Sequence, residues 1–240
     1  MDLFEELRFK LFTIMEDKGF GSEAVNVKVK ALKPEEAIGN PEDRDYPIIK
    51  GRERMMEADF KGSRGQAFTD MYGEFSGTLT EVGAMKLENN YRRAIFLATL
   101  NAVARHLGIV RNTVHCKDDQ PPQCAKELAS YIRENFGRPK VALVGLQPRM
   151  AETLGREFEL RVTDIDPDNV GTIKFGTRIQ GPEQTADSIS WCDVALVTGT
   201  TLTNDSLREL VMGKPAIFYG VTIAAAAHFL NLTRFCPCGT

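Results

Sequence analysis

Residues 141–163 read VALVGLQPRMAETLGREFELRVT, and this stretch decides the fold. The apolar run Val141–Val144 ends at Gly145, a helical segment follows over 149–158, and Leu160–Thr163 opens as a second short strand. Short apolar strands alternating with helices are the pattern of parallel βαβ units. Toward the C-terminus the rhythm continues, with strands at 193–198 and Ala216–Tyr219 and helices at 184–190, 204–212 and 223–230. Toward the N-terminus, Pro121 and Pro122 begin and Gly137 ends a helix whose apolar side carries Cys124, Leu128, Ile132 and Phe136. Residues 113–240 are therefore predicted to form a Rossmann-like three-layer α/β/α domain with a mainly parallel sheet.

The first half has a different rhythm. Leu3, Leu7, Leu11 and Met15 recur at helical spacing beside Phe4 and Phe12, predicting a helix over 2–18 ended by Gly19 and Gly21. In 24–31, Val25, Val27 and Val29 alternate with Asn26, Lys28 and Lys30, as in a half-buried strand. A meander of short strands at 46–51, 55–60 and 66–69 follows, punctuated by Gly62, Gly65, Gly73 and Gly77. A long helix over 86–107 carries Leu87, Tyr91, Ala94, Ile95, Ala98, Ala102 and Leu107 on one face and stops at Gly108. Residues 1–112 read as an α+β domain, with the boundary near 111–120.

The 240 residues suit one large or two small domains, and 42% hydrophobic with 26% charged residues is the composition of a globular chain. With 30 basic against 33 acidic residues the formal net charge is −3, so there is no overall positive field to attract nucleic acid or an anionic membrane. The first twenty residues mix acids with Leu and Phe and hold no secretory core, and the run TIAAAAHFLNL is short of a membrane span. We expect a cytoplasmic protein with no membrane and no nucleic-acid partner, and a small homo-oligomer by default. An odd count of five cysteines argues for reduced thiols over a disulfide framework.

In an open parallel sheet, ligands collect at the carboxyl ends of the strands. The turn Gly145-Leu146-Gln147-Pro148-Arg149 has one glycine where a dinucleotide fingerprint needs three, which speaks against a standard NAD site. Asp164 and Asp166 follow the next strand, where an acid meets a ribose hydroxyl or serves as a turn residue. Thr198-Gly199-Thr200-Thr201-Leu202-Thr203-Asn204 lacks the P-loop lysine and offers Gly199, Thr200, Thr201 and Asn204 to an anionic group, with Thr203 or Asn204 as the competing helix cap. Tyr219 and Thr222 end the last strand beside it.

His115, Cys116, Cys236 and Cys238 supply an imidazole and three thiols, a set suited to zinc, cobalt or nickel, or are simply reduced linker cysteines. Cys124 and Cys192 read as small core residues, His106 as a partner of helix-end carbonyls and His228 as packing. The glycine-rich run 61–69 reads as a hairpin turn or as a loop over the cleft with Arg64 as its cation. No G-x-S-x-G or H-E-x-x-H motif is present, and no reaction is assigned.

The strings Lys86-Leu87-Glu88-Asn89-Asn90-Tyr91-Arg92-Arg93-Ala94 leading to Leu100-Asn101-Ala102-Val103, Thr113-Val114-His115-Cys116-Lys117-Asp118, Thr163-Asp164-Ile165-Asp166, Thr198 to Asn204, and Phe218-Tyr219-Gly220-Val221-Thr222-Ile223-Ala224 together resemble the heavy-metal-chelation family, a prokaryotic group. The resemblance covers nearly the whole chain. It implies an enolase-N-terminal-like domain joined to a Rossmann-like domain, a ligand cleft between them, and a role in binding heavy metals or metal-bearing molecules. Three functional readings follow. The cleft holds a metal ion or a metal-bearing or anionic small molecule; or the second half binds a nucleoside cofactor such as S-adenosylmethionine for group transfer; or the chain is a non-catalytic small-molecule sensor.

Overall fold

The computed structural model describes residues 2–20, 26–51, 53–210 and 213–240. Helix α1 (Leu3–Asp17) starts because Asp2 caps the Phe4 amide, and it buries Phe4, Leu7, Leu11 and Met15, the stripe expected from their spacing. Then come β1 (Asn26–Leu32), α2 (Pro34–Ile38), β2 (Arg54–Phe60), β3 (Ser63–Thr69), β4 (Phe75–Thr78), α3 (Leu79–Ala84) and α4 (Asn90–His106). The four strands form an antiparallel sheet in the order β3-β2-β1-β4. Of the strand expected over 24–31, residues 24 and 25 lie outside the described residues, as does Gly21.

The second half comprises α5 (Gln120–Phe136), β5 (Val141–Val144), α6 (Pro148–Glu157), β6 (Leu160–Thr163), β7 (Ile173–Lys174), β8 (Thr177–Gln180), α7 (Thr185–Trp191), β9 (Val194–Thr198), α8 (Thr200–Thr203), β10 (Ala216–Tyr219), α9 (Ala224–Phe229) and β11 (Arg234–Phe235). Its sheet runs β11-β10-β9-β5-β6-β8-β7 and is parallel except at the β7–β8 hairpin. A mainly parallel sheet beside a second, antiparallel sheet is the α/β class the sequence predicted. No helix among the described residues is long and apolar enough to cross a membrane.

In β5, Val141 and Leu143 face the α5–α6 side while Ala142 and Val144 face the opposite core, and all four are buried. A strand covered on both faces reads as a continuous apolar run. The chain leaves β5 toward β6 and later returns to β5's other edge as β9, so the order reverses between β5 and β9. Such a reversal opens a crevice at the carboxyl ends of the two strands.

Helix α4 joins the two sheets. Residues 94–104 are buried throughout, and Ile95, Phe96, Leu97 and Leu100 belong to an apolar cluster that also holds Met56 and Phe60 of β2, Val197 of β9, Phe218 of β10 and Ala225 of α9. Each such large side chain contributes about 1.5–3 kcal/mol by leaving water. The helix approaches β3 so closely that a Cβ on Gly65 would lie 2.2 Å from the Ala102 amide nitrogen and 2.4 Å from the Ala98 carbonyl oxygen. At the same level Asn101, fully buried, donates from Nδ2 to the carbonyls of Gln66 (2.9 Å), Val221 (3.0 Å) and Thr222 (3.2 Å) and accepts from the Ala225 amide (2.8 Å). One amide side chain thus fastens β3 to the turn between β10 and α9.

Several sequence expectations need correction. Residues 47–51 form turns, not a strand; Pro47 and Gly51 break the ladder, while Tyr46 and Ile48 pack with Leu32, Ala37, Ile38 and Met55 in a small separate core. The long helix begins at Asn90, because Asn89 accepts from the Arg92 amide and caps it. Instead of a helix over 204–212 there is the single turn α8 and a 3-10 turn at Leu207–Leu210, with Met212 outside the described residues. Asn204 closes α8 rather than opening a helix, and Thr203 lies within it, so neither is an N-cap. The run 61–69 is the β2–β3 hairpin and β3 itself; Arg64 is exposed, 3.9 Å from Glu57 and outside the cavity lining. Cys192 caps the end of α7, buried as expected, rather than starting a strand.

Candidate functional site

A cavity of about 490 Å³ opens at the carboxyl ends of β5, β6, β9 and β10 and is roofed by the segment between α2 and β2 and by the end of β3. Its lining takes in all eight strand-end residues singled out from the sequence: Asp164, Asp166, Gly199, Thr200, Thr201, Asn204, Tyr219 and Thr222. It also takes in His115, Cys116 and Cys236, whereas Cys238 is not part of the wall.

Many of these groups are already committed to the protein. Asp164 accepts the Leu146 amide at 2.5 Å on one oxygen, and the Asp166 amide at 2.7 Å and Asn169 Nδ2 at 3.3 Å on the other. Gln147 caps the Met150 amide at 2.6 Å, and Pro148 has no amide hydrogen to give. The donors that a pyrophosphate would use at the start of α6 are thus occupied from within, and Asp164 holds the turn where a ribose was expected. Gly145, at φ +86°, sits where a Cβ would lie 2.6 Å from Thr198 Cγ2. Its carbonyl accepts from Tyr219 Oη at 2.7 Å, and burial pushes that phenol's pKa up.

The β9 end behaves alike. The Gly199 amide donates to the Tyr219 carbonyl (2.9 Å), Thr201 Oγ1 donates to the Thr198 carbonyl (2.7 Å), and Thr222 Oγ1 accepts the Phe68 amide (3.0 Å). Asn204 Oδ1 accepts from Asn90 Nδ2 (3.2 Å), which also donates to Asp70 (2.7 Å); Arg93 adds a bond to the Thr203 carbonyl at 2.6 Å. Asn90 and Arg93, from the LENNYRRA string, therefore position Asp70 and Asn204 on the wall. An anion has little to meet here, since no Lys or Arg stands among the described lining residues.

Carboxylates dominate instead: Glu53, Asp70, Asp164 and Asp166. Glu53 precedes β2, and its carboxyl is raised to about 7 by burial and by the nearby Asp164, Asp70 and Asp166. Sequence reasoning missed it, because a glutamate inside Arg52-Glu53-Arg54 looks like a solvated turn. Two buried hydroxyls on the wall, Thr163 Oγ1 (2% exposed) and Tyr46 Oη (7% exposed), have no hydrogen-bond partner among the described residues.

The opposite end is soft. Cys116 is 7% exposed, and its thiol is pushed up to about 12 by burial and by the thiols of Cys236 and Cys238. Cys124, on α5, also lines the cavity; burial raises its thiol, which is hydrogen-bonded to Cys238. Four of the five cysteines thus gather at one end, including one expected to be core alone. His115, its pKa lowered by burial, has Nδ1 2.6 Å from the Cys116 carbonyl oxygen and its ring edge-on to Phe68. Its amide donates to Gln66 Oε1 at 2.7 Å, fixing this segment to β3. Among the described residues, no three His, Cys, Asp or Glu side chains are grouped to hold a metal ion. Within the quartet His115, Cys116, Cys236 and Cys238, the His115 ring nitrogen is turned to a backbone carbonyl, and burial raises the thiols of Cys116 and Cys238.

The molecule is thus a two-sheet α/β protein with a cavity at the strand ends where its sheets meet. Residues 128–232 match the model of the DUF364 family, described as "Putative heavy-metal chelation". A protein of unknown function from that family in Pyrococcus horikoshii has a similar solved structure, with TM-score 0.55 and 14% identity over 92% of this chain and 79% of that one. Another, from Desulfitobacterium hafniense DCB-2, gives TM-score 0.50 and 15% identity over 74% of this chain and 72% of that one. No curated protein matches the chain. The family resemblance read from the sequence strings is borne out over the matching segment, which holds those at 163–166, 198–204 and 218–224, while the strings before residue 128 lie outside it; the two solved structures are similar in fold.

Proposed function

We propose that the cavity binds a metal-bearing small molecule, with the metal toward Cys116, Cys124, Cys236 and His115 and the organic part along the strand ends. The observation that carries this reading is that soft donors and strand-end polar groups line one cavity while no three of the protein's own side chains are set to cage an ion. A chelate brings most of its own ligands, so one or two thiolates from the protein complete its coordination. The family's description, heavy-metal chelation, supports the metal part of this reading, and a role in metal chelation or metal-cofactor metabolism follows from it as part of the proposal. The committed amides at α6 speak against the nucleoside-cofactor reading.

Cobalt(II) serves as the reporter. Titrated anaerobically under reducing conditions, free or as its histidine complex, it should produce thiolate-to-cobalt charge-transfer absorption at one equivalent. That absorption should vanish in Cys116→Ser/Cys236→Ser. Absence of the band with both forms of cobalt overturns the reading; parallel zinc and nickel titrations then rank the metals.

A further inference from the structure

The wall opposite the thiols is made of hydrogen-bond acceptors. Glu53 enters it from the start of β2, Asp70 from the end of β3, and Asp164 and Asp166 from the end of β6, so the negative groups come from both sheets. Three of them are held by internal donors: Asp164 by backbone amides, Asp166 by the Asp168 amide and Asp70 by Asn90. The Glu53 carboxylate has no hydrogen-bond or ion-pair partner among the described residues. Thr163, next to Asp164, belongs to the same wall and its buried hydroxyl has no hydrogen-bond partner among the described residues; a buried polar group without a partner costs about 1–3 kcal/mol until something satisfies it. An unpaired carboxylate and an orphaned hydroxyl on one wall, among three further carboxylates and with no described Lys or Arg in the lining, form a receptor for N–H donors carrying positive charge. The carboxylates are too dispersed to chelate a bare ion, whereas an organic cation spreads its charge over several nitrogens.

We propose that this wall recognises a protonated amine, so that the ligand of the cavity is an amine-bearing organic cation. The inference rests on the cavity being the ligand site, and it names the class of the ligand's organic part. It carries a proton balance. The charges that face Glu53 are Asp70, Asp164 and Asp166, with Lys174 near the latter pair and Lys50 beside Lys174; burial and the three carboxylates hold the Glu53 carboxyl up to about 7. Seating an ammonium group beside Glu53 favours the ionised carboxylate, which releases a proton to solvent.

The test uses spermidine as a metal-free probe in calorimetry at physiological salt, in two buffers of different ionisation enthalpy. Saturable one-to-one binding is expected, with proton release and about tenfold tightening from about pH 6 to about pH 8. Glu53→Gln should lose at least about tenfold in affinity together with the pH dependence, and Thr163→Val should weaken binding to a smaller extent. Glu134→Gln, on the exposed side of α5, should leave it unchanged. Failure of spermidine to bind saturably, binding no better than that of pentane-1,5-diol, preference for inorganic phosphate, or undiminished binding by Glu53→Gln overturns the proposal. Cobalt absorption in a protein indifferent to spermidine removes the amine and leaves the metal-bearing reading standing; spermidine binding without cobalt absorption does the reverse.

Discussion

The two ends of the cavity differ in readiness. At the acidic end, the half-buried Glu53 carboxyl and the buried Thr163 hydroxyl are acceptors without a partner among the described residues. At the thiol end, Cys116 and Cys124 are held protonated by burial and by neighbouring thiols, and a metal must displace those protons before it can bind. The contrast teaches an order: charge recognition is built into the fold, whereas thiolate ligation is created by the metal.

The strongest way to break this comparison is to loosen the joint on which both ends depend. Asn101→Leu leaves the Ala225 amide and the carbonyls of Gln66, Val221 and Thr222 without their partner. We expect a loss of about 3–4 kcal/mol in urea unfolding, with cobalt and spermidine binding weakened together; loss at one end alone would show the ends to be independent.

Next in size is the pH profile of stability. Glu53 holds its proton more tightly in the folded chain, up to about 7, than in the unfolded one. Stability should therefore fall as pH rises from about 5 through about 7, by up to about 3 kcal/mol, and level off above. Glu53→Gln should flatten the curve and be more stable than the wild type in alkaline buffer. A wild-type curve without that decline would remove the strained carboxyl from the acidic end.

The thiol end gives the opposite dependence. Cobalt affinity should rise about tenfold per pH unit for each thiol proton displaced, and Cys116→Ser/Cys236→Ser should abolish cobalt binding while sparing spermidine. Smallest of all, Arg64→Ala should change stability by less than about 0.5 kcal/mol and neither ligand's affinity, because its 3.9 Å ion pair with Glu57 is long and its guanidinium is exposed; a larger effect would bring Arg64 into the site.

The parallel half was legible because its strands are covered on both faces, so that Val141–Val144 and Ala216–Tyr219 announce themselves as short apolar runs. The rule that ligands gather at strand ends then found eight residues of the wall. What it missed depends on contacts distant in the chain: Glu53 joins the wall only when the start of β2 is brought near the end of β6, and Asn90 and Asn101 each reach partners more than a hundred residues away as well as nearer ones on β3 and just after it. Residues 46–51 misled because alternating apolar residues look the same in a strand and in turns pinned by a small core. Cys124 misled in another way, since the apolar side of α5 is also the floor of the cavity.

The bond from Asn101 to Ala225 spans 124 positions of the chain. A nascent polypeptide that has already formed the antiparallel sheet and α4 still lacks the β10–α9 turn against which Asn101 closes. Contacts of such separation form late, because the intervening chain must be ordered first. The cavity therefore takes shape during synthesis only once the β10–α9 turn has been made and has closed on Asn101.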